Sequence, residues 1–529
     1  MNNFILIAAS LIILCVFINK LFLKMGVPVL LGFIFLGILV GQDGIFGIEF
    51  TNYNLVGNIC TVALIFIMFY GGFSTNIKQA KPVLKQAALL AGPGVALTAL
   101  FTGLFAYLCL GMPWLHALLL GSVIASTDAA SVFSVLRSYN LNLRYNSASL
   151  LEVESGSNDP AAYMLTIIVL QLIQGKGDLQ FIIKTVVAQI VLAIVAAWLI
   201  SKLAAYLLNK MQFATEGFEL VFIMGIALVS YALPSAFNGN GYLSAYICGL
   251  LLGNKQIKAK RELVSFWSGI TGLMQIVIFF LLGLLSTPSL LPAVFNKAIL
   301  VMLALTFLVR PLVVYLLLLP FKVNWRQLVL LSFAGLRGAA SIVFAIMVIM
   351  QGEIGSEIFH ITFLIVLLSL GLQGVLLPKV AKLTDMIEPG GNVMKTFTDY
   401  AEDLPVQFMK FRLQANHLWV GKKIMDLVLP PQTLLVYLEN EKGVTVPNGE
   451  TLLQANDKLI LAAIEPHKMP GVSLSELEIS EKHEYVGQAL SELNLEDSLV
   501  VLIKRGDKVV IPDGRTVINA GDVLICNRG

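Results

Sequence analysis

Four ionisable side chains stand inside apolar runs, where charge is expensive: Asp128, Glu154, Asp159 and Arg337. Each costs about 2.5–3.5 kcal/mol near the centre of a bilayer, so such groups are kept for binding, proton handling or mutual pairing. In Glu154-Ser-Gly-Ser-Asn-Asp159, residues Glu154, Ser155, Asn158 and Asp159 are spaced i, i+1, i+4, i+5 and share one helix face. Pro160 follows at once and cannot donate to the carbonyl of Gly156, which frees an oxygen beside Asp159. Ser126-Thr127-Asp128 interrupts another apolar run with three oxygen-bearing side chains, and Gly335 and Gly338 flank Arg337 and loosen its helix. Oxygen ligands without Cys or His suit hard cations and protons, not transition metals. A carboxylate that trades a proton for a cation must titrate near the working pH.

Structural readings stand beside the chemical ones. A lone intramembrane carboxylate such as Asp128 can be a hydrogen-bonded structural group. Glu154 and Arg337 read as a stabilising ion pair. Asp159, with its oxygen-rich face and adjacent proline, reads as a binding group. Arg310, before Pro311, is expected near the inner end of its span, where it snorkels or caps. His116 and His360 are expected at the surface.

The elements that hold these residues follow from hydropathy. The chain has 529 residues, 57% hydrophobic and 13% charged, which excludes an ordinary soluble protein. Thirteen apolar segments can cross about 30 Å of hydrocarbon: 4–23, 27–42, 55–73, 83–110, 114–136, 148–173, 180–208, 218–236, 242–254, 263–285, 294–320, 327–350 and 356–378. The first lacks a basic residue before it and a small-residue cleavage pattern after it, so it reads as a retained helix, not a signal peptide. With the N-terminus outside, inner loops carry 17 Lys and Arg and outer loops only Lys176, Lys184 and Lys297, which argues for N-out and C-in. At about 1.5 Å per residue, Asp128 lies roughly 12 Å from its inner end, Glu154 roughly 9 Å, and Asp159 and Arg337 roughly 16 Å. Three spans therefore bring charge to nearly one level. Interrupted helices at corresponding places in two halves mark binding sites in repeat-built transporters.

Charge divides the chain as well. Through Asp385 there are 22 Lys and Arg against 13 Asp and Glu; beyond it there are 14 against 20. The acidic part contains a repeat: Trp419-Val-Gly421, Val446-Pro-Asn-Gly449 and Asn456-Asp457 return as Tyr485-Val-Gly487, Val510-Ile-Pro-Asp-Gly514 and Gly521-Asp522. Alternating β-branched runs and Pro-Asx-Gly turns predict two small α+β modules. Expected boundaries are a transmembrane domain over 1–385, a linker over 386–406, and modules over 407–466 and 470–529. The five scattered cysteines match no zinc or CxxC spacing, and no feature points to nucleic acid.

Residues 1–385 resemble the bacterial NhaP-type monovalent cation:proton antiporters, with NhaA/NhaP-like folds. The resemblance rests on Thr127-Asp128, Glu154-Ser-Gly-Ser-Asn-Asp159, Gly335-Leu-Arg-Gly-Ala, and the Asn238-Gly-Asn-Gly241 stretch with Gly249 to Asn254. It implies an all-α polytopic fold of thirteen helices in inverted repeats, with unwound fifth and twelfth spans crossing, and a homodimer with elevator-like movement in a bacterial inner membrane. It implies Asp159 as the exchanging carboxylate, Ser155, Thr127 and Asp128 as companions, and Glu154 paired with Arg337. Asn158 stands where electrogenic relatives carry a second Asp, which implies electroneutral exchange. Tyr70 departs from the pattern, because many relatives have an acidic residue there. The tail resembles two successive RCK C-terminal (TrkA-C) modules without a dinucleotide-binding half, so no NAD or other cofactor is implied. Such modules accompany potassium transport and bind small ligands, cyclic di-AMP among them, which favours K⁺ over Na⁺ as the cation exchanged for H⁺. The alternatives are a Na⁺(Li⁺)/H⁺ antiporter, a tail-gated channel, for which there is no filter-like segment, and an intramembrane aspartyl protease, for which there is no Gly-x-Gly-Asp.

Overall fold

The computed structural model describes the chain apart from residues 1–12, 16, 18–21, 23–27, 51, 140, 176, 211–216, 256, 258–259, 351–353, 389–405, 416, 428, 430–432, 441–442, 446, 465–472, 481–482, 494–497, 506–507, 511 and 529. Most of the first expected span, with Lys20, Lys24 and Lys176, lies outside the described residues. The chain forms two compact units, Met1–Asp403 and Leu404–Gly529.

The first unit is helical. Its elements are α1 (Val29–Val40), α2 (Tyr53–Ser74), α3 (Leu84–Leu110), α4 (Trp114–Val123), α5 (Ala129–Ser138), α6 (Ser147–Ile173) and α7 (Leu179–Lys210). They continue with α8 (Phe218–Ala236), α9 (Gly241–Gly253), α10 (Lys260–Leu285), α11 (Pro288–Phe321), α12 (Trp325–Phe333), α13 (Ala339–Ile349) and α14 (Gly355–Leu383). Seven of them, α2, α3, α7, α8, α10, α11 and α14, are long and apolar enough to cross a membrane. The shorter α1, α4, α9 and α13 are equally apolar. Each of the other twelve expected spans therefore finds a helix or a helix pair.

Three local departures position the chemistry. First, α4 stops at Val123 and α5 starts at Ala129, while α12 stops at Phe333 and α13 starts at Ala339. The two unwound stretches meet where the N–H of Asp128 donates to the carbonyl of Leu336 at 2.8 Å. Second, α11 contains a π-helical turn at Leu305–Val309 immediately before Arg310-Pro311, and α14 contains another at Ser369–Gln373. The wider turn accommodates Pro311, which has no N–H to give and crowds the carbonyl one turn back. Third, α2 and α9 touch backbone to backbone. A Cβ on Gly72 would run into the carbonyl of Tyr246, and one on Gly249 or Gly253 into those of Phe69 or Phe73.

The first unit extends past Asp385. Met386 is fully buried, its carbonyl accepts from the N–H of Arg144 at 2.9 Å, and the N–H of Glu388 donates to the carbonyl of Asn142 at 3.0 Å. Asp385 binds both Arg144 and Arg326 at 2.9 Å. Residues 386–388, expected in the linker, thus pack as part of the helical unit.

The second unit holds two sheets of identical topology. β1 (Val406–Arg412), β2 (Thr433–Asn440), β3 (Gly443–Thr445) and β4 (Lys458–Ile464) form one, in the order β1-β4-β2-β3. β5 (Ser473–Glu478), β6 (Ser498–Arg505), β7 (Lys508–Val510) and β8 (Asp522–Arg528) form the other, in the order β5-β8-β6-β7. The repeat extends to detail: the bulge between Leu435 and Tyr437 returns between Val500 and Leu502, and Gly421 and Gly487 have φ of 81° and 85°. Among the described residues the helical part of each module is one 3₁₀ turn, Ile424–Asp426 or Leu490–Glu492, so the expected α+β modules are mainly β. In the second module Arg505 grips both oxygens of Asp522 at 2.8 and 2.7 Å and, with the N–H of Asn519, holds that buried carboxyl below the usual carboxylate range.

Candidate functional site

The crossing of the two unwound stretches gathers most of the expected residues. Asp159, buried midway along α6, accepts a hydrogen bond from the hydroxyl of Ser126. One turn earlier, the Ser155 hydroxyl donates to the Thr127 carbonyl at 2.8 Å and accepts from the N–H of Ala129 at 2.8 Å. Asn158 Nδ2 donates to Thr127 Oγ1 at 2.6 Å. The polar face of α6 therefore holds the broken span in its unwound form, supplying partners for backbone groups that the missing helical turn leaves open.

Asp128 sits at the start of α5. Its Oδ1 accepts from the N–H of Ala130 at 3.0 Å, and its Oδ2 accepts from the hydroxyl of Ser131. This is helix N-capping, and it places negative charge where the helix end is positive. The N-terminus of α13 lies against the same carboxylate, because a Cβ on Gly338 would collide with it. Glycine at 338 thus serves close approach more than loosening. Gly335 does likewise: a Cβ there would lie 3.0 Å from Arg310 Nε.

Arg337 comes from the other unwound stretch and donates to the Ser126 carbonyl at 2.7 Å, so a cation faces a carbonyl that the end of α4 leaves free. The pairing expected between Arg337 and Glu154 is not the one formed. Glu154 binds Arg310 instead, and both are buried. Packing makes the choice, and Arg310 is available for it because its helix is long. The helix that carries Arg310 continues to Phe321, eleven residues on, so Arg310 lies about 16 Å from that end and cannot snorkel. Its place in the sequence already puts it at the depth of Asp159. His360 is also buried rather than superficial, its Nδ1 2.7 Å from the Ser356 carbonyl.

Sequence reasoning missed a supporting chain of hydrogen bonds. The Arg337 N–H donates to Ser369 Oγ at 3.1 Å, Ser369 donates to Gln373 Oε1 at 2.5 Å, and Gln373 Nε2 donates to Thr306 Oγ1 at 2.9 Å. Both π turns are thereby tied to the crossing, a usage common where such turns carry function. Asn240, within the Asn238-Gly-Asn-Gly241 stretch, caps α9 and donates to the Pro160 carbonyl at 2.8 Å.

A cavity of about 920 Å³ reaches this centre, lined by Asp128, Asp159, Ser126, Thr127 and Ser155 on one side. It extends along Ser134, Ser138 and Glu152 toward one end of the spans, with Tyr70 and Ser74 of α2 and part of α10 opposite. Among the described residues no group of His, Cys, Asp and Glu could hold a resident metal. Two carboxylates, hydroxyls and an amide beside a water-sized path can exchange a proton for a hard monovalent cation.

Comparison with known proteins agrees with this geometry. The family model described as "Sodium/hydrogen exchanger, transmembrane" matches residues 7–383, and the TrkA-C domain matches 408–466 and 474–525. The K(+)/H(+) antiporter NhaP2 of Shewanella sp. (strain MR-4) is 33% identical over 476 residues, covering 88% of this chain and 82% of the relative. The K(+)/H(+) antiporter NhaP of Alkalimonas amylolytica is 33% identical over 439 residues, covering 81% and 75%. The fold is similar to that of the sodium proton antiporter MjNhaP1 of Methanocaldococcus jannaschii, with a TM-score of 0.64, 24% identity, and coverage of 72% of this chain and 99% of the other.

Proposed function

This chain belongs to the sodium/hydrogen exchanger family, and from that premise we propose that it exchanges K⁺ for H⁺ across a bacterial cell membrane, one for one, with Asp159 as the carboxylate that alternates between them. The family consists of cation/proton antiporters, so the chain is a transporter and the aspartyl protease alternative falls away. The observation that carries the proposal is the position of Asp159, buried beneath an unwound helix and lining a cavity of about 920 Å³. A proton on Asp159 and a cation held by it are mutually exclusive, which is the coupling that antiport needs. Thr127, Ser155 and Asp128 fix the backbone around that carboxylate, Asn158 adds no charge, and Glu154 with Arg310 and Arg337 holds the crossing together.

K⁺ is favoured by the 33% identical relatives named for it and by the TrkA-C modules. The cavity runs toward the end of the spans that the basic loops assign to the cytosol, so the described conformation is inward-facing, with N-out and C-in. The protein assembles as a homodimer, and its tail is a regulatory unit for which cyclic di-AMP is the ligand to test first. The deciding experiment is ΔpH dissipation in proteoliposomes on adding K⁺, Na⁺, Li⁺ or Rb⁺ in turn. A response to K⁺ supports the reading. A response to Na⁺ or Li⁺ alone replaces K⁺ with those ions, and none to any ion removes antiport.

A further inference from the structure

We propose that one face of α10, carrying Ser268, Thr271 and Gln275, is a cation-selecting wall: a ladder of neutral oxygens facing the carboxylates that favours a weakly hydrated monovalent cation. The proposal rests on the antiport reading and assigns ion preference to residues outside the carboxylate centre.

Ser268, Thr271, Gly272 and Gln275 follow i, i+3, i+4, i+7 spacing, and all four line the cavity that Asp128 and Asp159 line. Counted from Leu263, Thr271 and Gln275 stand about 12 and 18 Å along the span, the level at which Asp128 and Asp159 lie. A Cβ built on Gly272 meets no atom within 4 Å, so packing does not require glycine there. Its smallness widens the cavity instead. Thr271 Oγ1 is buried without a hydrogen-bond partner among the described residues. A helical threonine commonly bonds the carbonyl one turn back, as Thr166 and Thr306 do here at 2.8 Å; Thr271, a residue that lines the cavity, has a hydroxyl not committed in that way.

The wall is firmly mounted. Trp267, fully buried, packs against Phe66 and Phe69 of α2 with ring centroids 5.4 and 5.2 Å apart. The residues that α2 and α10 contribute to the cavity carry no charge, whereas Asp128, Glu152 and Asp159 all come from the opposite side. A cation approaching Asp159 thus exchanges part of its water for neutral hydroxyl and amide oxygens. Such oxygens replace water weakly, which disfavours a strongly hydrated small ion more than a larger one.

The test uses the full chain in proteoliposomes, with K⁺, Na⁺, Li⁺ and Rb⁺ titrated separately against ΔpH. Thr271→Val and Gln275→Leu should each raise the apparent KM for K⁺ about threefold to tenfold, the worth of one lost hydrogen bond, and flatten the ranking of ions. Maximal rate should hold, and Thr271→Ser and Gln275→Asn should restore the wild-type ranking. Inserted, stable Thr271→Val and Gln275→Leu variants with wild-type KM and ranking would overturn the proposal. If the apolar variants fail to insert, Thr271→Ser and Gln275→Asn decide: a change in maximal rate without any change in KM or ranking overturns it. A wild-type chain that exchanges but ranks Na⁺ or Li⁺ first removes this proposal and the preference for K⁺, and leaves antiport standing. One that moves no protons with any ion removes the antiport reading, and this proposal with it.

Discussion

The amide of Asp128 donates to the carbonyl of Leu336 at 2.8 Å, one main-chain bond joining the two interrupted helices at their unwound centres. Around it three of the four open helix ends meet a suitable charge. The Asp128 carboxylate caps α5 and abuts the start of α13, while the Arg337 guanidinium binds the carbonyl of Ser126 beyond α4. Unwound backbone at membrane depth survives only with such partners. The same arrangement leaves Asp159, rather than Asp128, as the carboxylate whose bond to Ser126 can be given up without releasing a helix end.

Asp159→Asn should reduce cation-driven proton movement to the level of empty liposomes while the purified protein keeps its melting temperature within a few degrees of wild type. Proton uptake on a K⁺ pulse measures the first quantity and a thermal shift assay the second. Sustained exchange by the variant would displace Asp159 from the mechanism.

Glu154 and Arg310 should couple strongly. Removing one member of a buried pair strands the other charge at a cost of about 3–5 kcal/mol. Glu154→Gln and Arg310→Met should each lower melting temperature and yield, and the double variant should lose far less than the two losses combined. The Glu154 and Arg337 cycle should show a smaller coupling. The reverse order would return Arg337 as the partner.

How much of this was legible beforehand varies with the kind of signal. Asp159, Asn158 and Ser155 were readable because helical spacing and apolar context are local properties. The twelve spans within the described residues were readable because hydrocarbon thickness fixes length. The identity of Glu154's partner was not, since two arginines lie at similar depth and only packing chooses between them. Ser369, Gln373 and Thr306 gave no signal: single polar residues in apolar helices are common, and their meaning comes from two π turns that no spacing announces. In the tail, the repeat was plain in sequence because two copies could be compared.

Exchange should be electroneutral. Asn158 is neutral and already held by Thr127 at 2.6 Å, so Asp159 alone changes occupant at its step. With membrane potential clamped by valinomycin, and a substrate that valinomycin does not carry such as Na⁺ if accepted, the transport rate should not vary with voltage. A rate that scales with imposed potential rules out one-for-one exchange.

The second tail module should lose stability in acid through Asp522. Its folded pKa lies below the ordinary value because Arg505 binds it, so the pair's contribution is complete above about pH 4, the unfolded value, and is lost as pH falls through the lower folded value. Amide hydrogen exchange over 522–528, corrected for intrinsic rates, should quicken in that window. Asp522→Asn should quicken it at neutral pH and flatten the acid dependence. An unchanged profile would mean that Arg505 contributes nothing there.

Truncation after Glu388 should leave measurable exchange and change its pH threshold or its response to cyclic di-AMP. The cut belongs there and not before Met386, because removing the buried Met386 and the bonds around Asp385 would unseat the loop at Arg144. A stable, inserted truncation with no exchange under any condition would make the tail part of the transport machinery.

The seam between α2 and α9 carries a consequence for motion. Where Gly72, Gly249 and Gly253 set backbone on backbone, no side chains intervene to change rotamer, so sliding one helix along the other finds no alternative packing to settle into. At those glycines the two backbones are in direct contact, which ties the pair together. Any change of access should therefore carry α2 and α9 together, as one piece of the cavity wall.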